Sequence, residues 1–249
     1  MVDRRGGGAR REGADPSAVL TQSTLHGKLL CMTINEEPLD PARMFELMQS
    51  TRRDTQRKLD RIYAGLLFVW AGAWFIGFGA LWFAEGVGGV PVIAAGVAWA
   101  IFGVMIASGI AWSIVSGIRS ASSGIHGRSR LQGALYGYSW MISMVGAWLI
   151  TIGLRRSGLS EQTANLLYPA LFILMVGVMY LAGGAVWRSP ALYALGVAMV
   201  VVASVATFIG SPWHFLIYAT AGPAAMVVVG VMTLRGIIPA EPRLKAAAA

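Results

Sequence analysis

Charge is what this chain has least of. Charged residues make up 13% of it, against roughly a quarter in an ordinary soluble domain. Between Ile62 and Leu234 the acidic residues are Glu85 and Glu161 alone. Neither falls inside an apolar run, so coupling to protons or sodium through a buried carboxylate is not expected. Cysteine is almost absent as well: Cys31 stands alone, which excludes a disulfide framework, a CxxC redox pair and a thiolate metal cluster. No two histidines lie within apolar runs to hold haem, and no HExxH, P-loop or paired-glutamate motif occurs. Ser108 sits in Ala107-Ser108-Gly109 without the preceding glycine of an intramembrane serine protease, and no apolar run supplies a base to activate it. Neither an enzyme nor a resident metal or cofactor is expected.

What remains is hydrophobic: 56% of the residues. The few charges divide the chain into apolar runs at 62–84, 91–115, 131–154, 166–187, 191–210 and 215–234. Each is about 20 residues long, the length that crosses a ~30 Å hydrocarbon core as a helix. None alternates in the manner of a barrel strand, and in lipid every backbone N–H and C=O must be satisfied internally. The expected fold is therefore all-α, with six transmembrane helices.

Lysine and arginine set the orientation. With a cytoplasmic N-terminus, 18 of the 20 fall on the inner side and only Arg155 and Arg156 outside, which predicts that both termini are cytoplasmic. The high pI of about 10.1 then reflects topology and anionic lipid headgroups, and nucleic acid is not an expected partner.

Residues 1–39 mix glycine, arginine and hydroxyl residues without periodicity and read as a disordered tail, within which Met32 offers an alternative start. Asp40-Pro41 has the pairing of a helix N-cap and first position. From there Met44, Met48, Thr51, Thr55, Leu59 and Ile62 recur at helical spacing opposite Arg52, Arg53 and Arg57. Residues 40–61 thus form an amphipathic juxtamembrane helix, for either anionic lipid or the cytoplasmic ends of the bundle. Residues 62–234 make the transmembrane domain and 235–249 a cytoplasmic C-terminal tail.

One pattern recurs. Gly-Val-Met, with a further glycine six residues after the first, occurs at Gly103 to Gly109, Gly177 to Gly183 and Gly230 to Gly236. Each copy lies in an even-numbered run, as three parallel two-helix repeats would place it. Small residues also form stripes. Gly96, Ala100, Gly103, Ala107 and Ala111 follow one another at four, three, four and four residues, and Ala170, Gly177 and Gly184 fall seven apart. Such faces let a second helix approach closely.

Two clusters are candidates for binding. Tyr136, Ser139, Trp140 and Ser143 share one helix face, with Tyr180 in the next run. Tyr136, Ser139, Trp140 and Tyr180 could line a cavity for an amphiphilic solute, although aromatic belts also mark ordinary membrane interfaces. Arg119, Arg128 and Arg130, around His126, could hold a lipid headgroup or simply mark the inner side. The lone His214 beside Trp213 reads as an interface anchor.

The stretches at 69–82 (VWAGAWFIGFGALW) and 124–140 (GIHGRSRLQGALYGYSW) resemble small six-span integral membrane proteins of actinobacteria, which often carry a generic transporter label. The resemblance implies a multi-pass protein of the bacterial cytoplasmic membrane, and it carries over no functional residue. The leading expectation is transport or gating of a small uncharged or amphiphilic solute, and the alternative is a non-transporting regulatory or scaffold subunit. In the second, the small-residue stripes bind helices of a second copy or a partner subunit, and the cytoplasmic N-terminal helix docks a partner.

Overall fold

A computed structural model describes residues 40–86, 90–122 and 130–238. Six helices account for nearly all of them: α1 (Pro41–Glu85), α2 (Ala95–Ser122), α3 (Arg130–Arg156), α4 (Glu161–Trp187), α5 (Pro190–Ile209) and α6 (Trp213–Leu234). All six are long and apolar enough to cross a membrane. The juxtamembrane stretch and the first span lie on one uninterrupted helix, α1. Asp40 opens it, its Oδ1 accepting from the Ala42 N–H at 3.3 Å.

The chain divides into two compact units, 1–51 and 52–249. In the first, the described residues 40–51 are exposed throughout, Met44 and Met48 included. The second unit holds the bundle.

Local signals set most of the helix ends. Ser160 caps α4 by accepting from the Thr163 N–H at 3.2 Å, so α4 starts five residues before its apolar run. Ser189 caps α5 by accepting from the Leu192 N–H at 3.4 Å, and Pro190 fills the first position. Gly158 (φ 90°) and Gly210 (φ 81°) make the turns after α3 and α5, where a side chain would be strained. Among the described residues, α2 begins at Ala95, four residues later than its apolar run, after Pro91.

The core gathers around α1, α5 and α6. Leu67, Ala71, Trp74 and Phe78 of α1 join Leu195, Met199 and Ala203 of α5 and Phe215, Tyr218 and Met226 of α6 in one cluster. Phe78 lies 5.3 Å from Tyr218 and 5.0 Å from Phe102, centroid to centroid. Glycines let α1 lie close to α6: a Cβ on Gly222 would meet the Trp74 ring at 2.8 Å, and one on Gly230 the Phe68 ring at 3.0 Å.

The closest pair is α4 with α5. A Cβ on Gly184 would stand 2.6 Å from the Tyr193 backbone nitrogen, and one on Gly196 would stand 2.6 Å from that of Leu181. The two backbones therefore touch, as small residues permit, and only Arg188 and Ser189 connect the helices. Gly177 and Gly184, members of the seven-residue stripe, lie in this contact.

At the edges, α2 and α3 leave broad apolar faces open. Val104, Ile114 and Ile118 of α2 are exposed, as are Leu131, Met141 and Ile142 of α3 and Phe208 of α5. Exposed apolar surface of this extent suits hydrocarbon and not water.

Candidate functional site

Three of the four residues expected to line a cavity come together. Tyr136 sits edge-on to Trp140 at 6.3 Å and to Trp187 at 4.3 Å, and Trp140 meets Tyr180 at 5.5 Å. These rings form a seam between α3 and α4. Tyr136 fastens it by donating its hydroxyl to the Met179 carbonyl at 2.7 Å. Gly183 makes the approach possible, because a Cβ there would lie 2.6 Å from the tyrosine oxygen. Ser139 is not part of the seam; it is exposed and donates to the Leu135 carbonyl of its own helix.

Tyr63 of α1 extends the seam, and it was not singled out for it from sequence. Tyr63 is partly buried, within electrostatic reach of Tyr180 and Tyr136. Its hydroxyl is buried and has no hydrogen-bond partner among the described residues. Asp60, three residues earlier, is buried and accepts from Gln56 Nε2 at 3.1 Å. The four-residue spacing of Gln56 and Asp60 is legible in sequence, but their burial is not.

The small-residue stripe of α2 faces outward. Gly96, Ala100, Gly103, Ala107 and Ala111 are all exposed, and a Cβ on Gly96 or Gly103 would meet nothing within 4 Å. A shallow open depression of about 420 Å³ runs along it, lined by Gly96, Val97, Ala100, Ile101, Val104 and Met105. The face that α2 turns to α1 is a different one. There the Trp70 ring lies over Gly109, at 3.2 Å from a Cβ built on it, and Trp70 Nε1 donates to Ser113 Oγ at 3.0 Å. Phe102 covers Gly77 in return. The glycines that open the three Gly-Val-Met copies thus have three surroundings: open space at Gly103, the α5 backbone at Gly177 and the Phe68 ring at Gly230.

Of the three arginines proposed for a headgroup, Arg119 is exposed in the last turn of α2. Arg128 and the side chain of Arg130 lie outside the described residues.

At the opposite end of the bundle a polar junction ties α1, α4 and the α5–α6 turn. Glu85 accepts from Asn165 Nδ2 at 3.3 Å and from Ser211 Oγ at 3.4 Å. His214 is fully buried rather than anchored at the interface, with Nε2 3.2 Å from the Asn165 carbonyl oxygen. A carbonyl can only accept, so Nε2 carries the proton. Pro169 lies inside α4 four residues after Asn165 and has no N–H to offer that carbonyl. His214 supplies the missing donor.

No protein-family model, curated protein or solved structure matches the chain. The class is nonetheless defined by the fold. Six apolar helices with an open apolar perimeter make this an integral, multi-pass, all-helical membrane protein.

Proposed function

We propose that the protein is a non-transporting subunit of a membrane assembly, in which the outward stripe of α2 receives a helix from a second copy or from a partner. One observation carries this reading. The α2 stripe of five small residues at helical spacing lies on a face that the described residues of the bundle leave open. Lipid gains little from a surface of glycine and alanine, whereas a second helix can approach its backbone closely. The distribution of basic residues supports residence in a cytoplasmic membrane with both termini inside. Cysteine cross-linking in native membranes tests the proposal, in a Cys31→Ser background. Cysteine at Gly103 or Ala107 is expected to give a defined adduct, identified by mass, while cysteine at Ile142 on α3 gives none. Equal, diffuse labelling at all three positions would count against it.

A second reading, passage of a small uncharged or amphiphilic solute along the aromatic seam, is favoured by the buried Tyr63 hydroxyl beside Tyr136 and Tyr180. Solute flux in reconstituted vesicles tests it. Flux lost in Tyr136→Ala and Trp140→Ala would support the reading, and no flux across a broad solute panel would oppose it.

A further inference from the structure

The turn between α4 and α5 places an arginine where the backbone favours glycine. Arg188 is the C-cap of α4 with φ 52° and ψ 39°, in the left-handed region. It is the only non-glycine residue with positive φ among those described. Its N–H closes the helix by bonding back to the Ala185 and Gly184 carbonyls. Helices that end this way do so on glycine, or less often asparagine, because a Cβ crowds the following carbonyl. Attraction between a cation and the negative end of α4 does not explain the choice, since an arginine in the last ordinary turn would have the same attraction without the strain.

Among the described residues no carboxylate answers the guanidinium. Arg188 is exposed and makes no ion pair among the described residues. The sequence contains no Asp or Glu between Glu161 and Glu241. Beside it is an open depression of about 360 Å³ whose wall is Gly184, Arg188, Ser189, Pro190, Tyr193 and Ala194. Apart from Arg188 and Ser189 the wall is small or aromatic. The first turn of α5 is closed to a ligand: Ser189 and Ala191 are buried, the Leu192 N–H bonds to Ser189 Oγ, and Pro190 has no N–H. A cation and an apolar trough therefore meet at one end of the bundle, at the level of the helix ends.

We infer that this turn binds one anionic phospholipid, its phosphate at Arg188 and an acyl chain in the trough beside Tyr193. Charge complementarity selects an anionic headgroup, and the trough selects a lipid over a free anion. Arginine is suited to phosphate because its planar fork donates two parallel hydrogen bonds.

The experiment is native mass spectrometry of the full-length protein released from nanodiscs of phosphatidylcholine with and without phosphatidylglycerol. Arg188→Gly relieves the left-handed backbone and removes the charge. It is expected to melt no lower than the parent while retaining its tightest phosphatidylglycerol adduct about fivefold less, the factor appropriate to one surface arginine. Arg188→Gln removes the charge and keeps the strain, and it must show the same loss. Arg188→Lys keeps a charge and is expected to retain part of the adduct. Undiminished retention in both Arg188→Gly and Arg188→Gln would overturn the site. Inorganic phosphate that displaces the lipid at millimolar concentration would overturn the assignment to a lipid.

Discussion

At the scale of single residues, His214 shows how a polar group comes to be buried in an apolar bundle. Its proton answers a carbonyl that Pro169 has left without a helical donor, so the two residues are energetically coupled although 45 positions separate them. His214→Phe keeps the ring and removes the donor. Its expected cost is about 0.6 kcal/mol, the average for an interhelical hydrogen bond in a membrane protein. In a Pro169→Ala background the carbonyl regains an intrahelical donor and that cost should shrink. A double-mutant cycle by reversible unfolding in mixed micelles checks this, and simple additivity of the two changes would refute it. The histidine itself was visible in the sequence, but its role was not. A proline marks a freed carbonyl four residues earlier, yet nothing in the order of residues says which distant donor will arrive there.

For the helices taken in pairs, glycine has opposite consequences depending on what faces it. Gly184→Ala and Gly196→Ala would drive a methyl into backbone at 2.6 Å, and overpacking of this kind costs roughly 1–3 kcal/mol. Gly103→Ala meets open space and should leave the unfolding temperature of the purified protein unchanged or slightly higher, since alanine is the better helix former. Thermal unfolding in one detergent ranks the three variants; a Gly103→Ala protein as damaged as Gly184→Ala would contradict the packing described. Both stripes were legible as faces of small residues. Spacing alone could not tell that Gly177 and Gly184 are filled from within the chain while the α2 stripe is not. Small residues report what a face will admit, and occupancy depends on how the remaining helices arrange themselves. The same applies to Tyr136 and Trp140, whose shared face followed from helical spacing, whereas the turning of Ser139 away from them did not.

For the molecule as a whole, hydropathy alone announced the six crossings, because a run of apolar residues long enough for the bilayer has few other fates. Sidedness rests on the basic residues. In a Cys31→Ser background, cysteine at Ser157 between α3 and α4 is expected to react with a membrane-impermeant maleimide added outside intact cells. Cysteine at Gly236 is expected to react only after permeabilisation. The reverse pattern would invert the topology. The polar junction was not foreseeable as a site, since Glu85, Asn165, Ser211 and His214 come from segments far apart in the chain.

The two-residue link between α4 and α5 also bears on how the protein is made. While the ribosome has delivered only α4, Gly177 and Gly184 present bare backbone with nothing beside it. Residues 193 to 200, which cover it, emerge shortly afterwards, and a connection so short leaves α5 no other place to go. A chain truncated after Trp187 would leave that backbone groove uncovered.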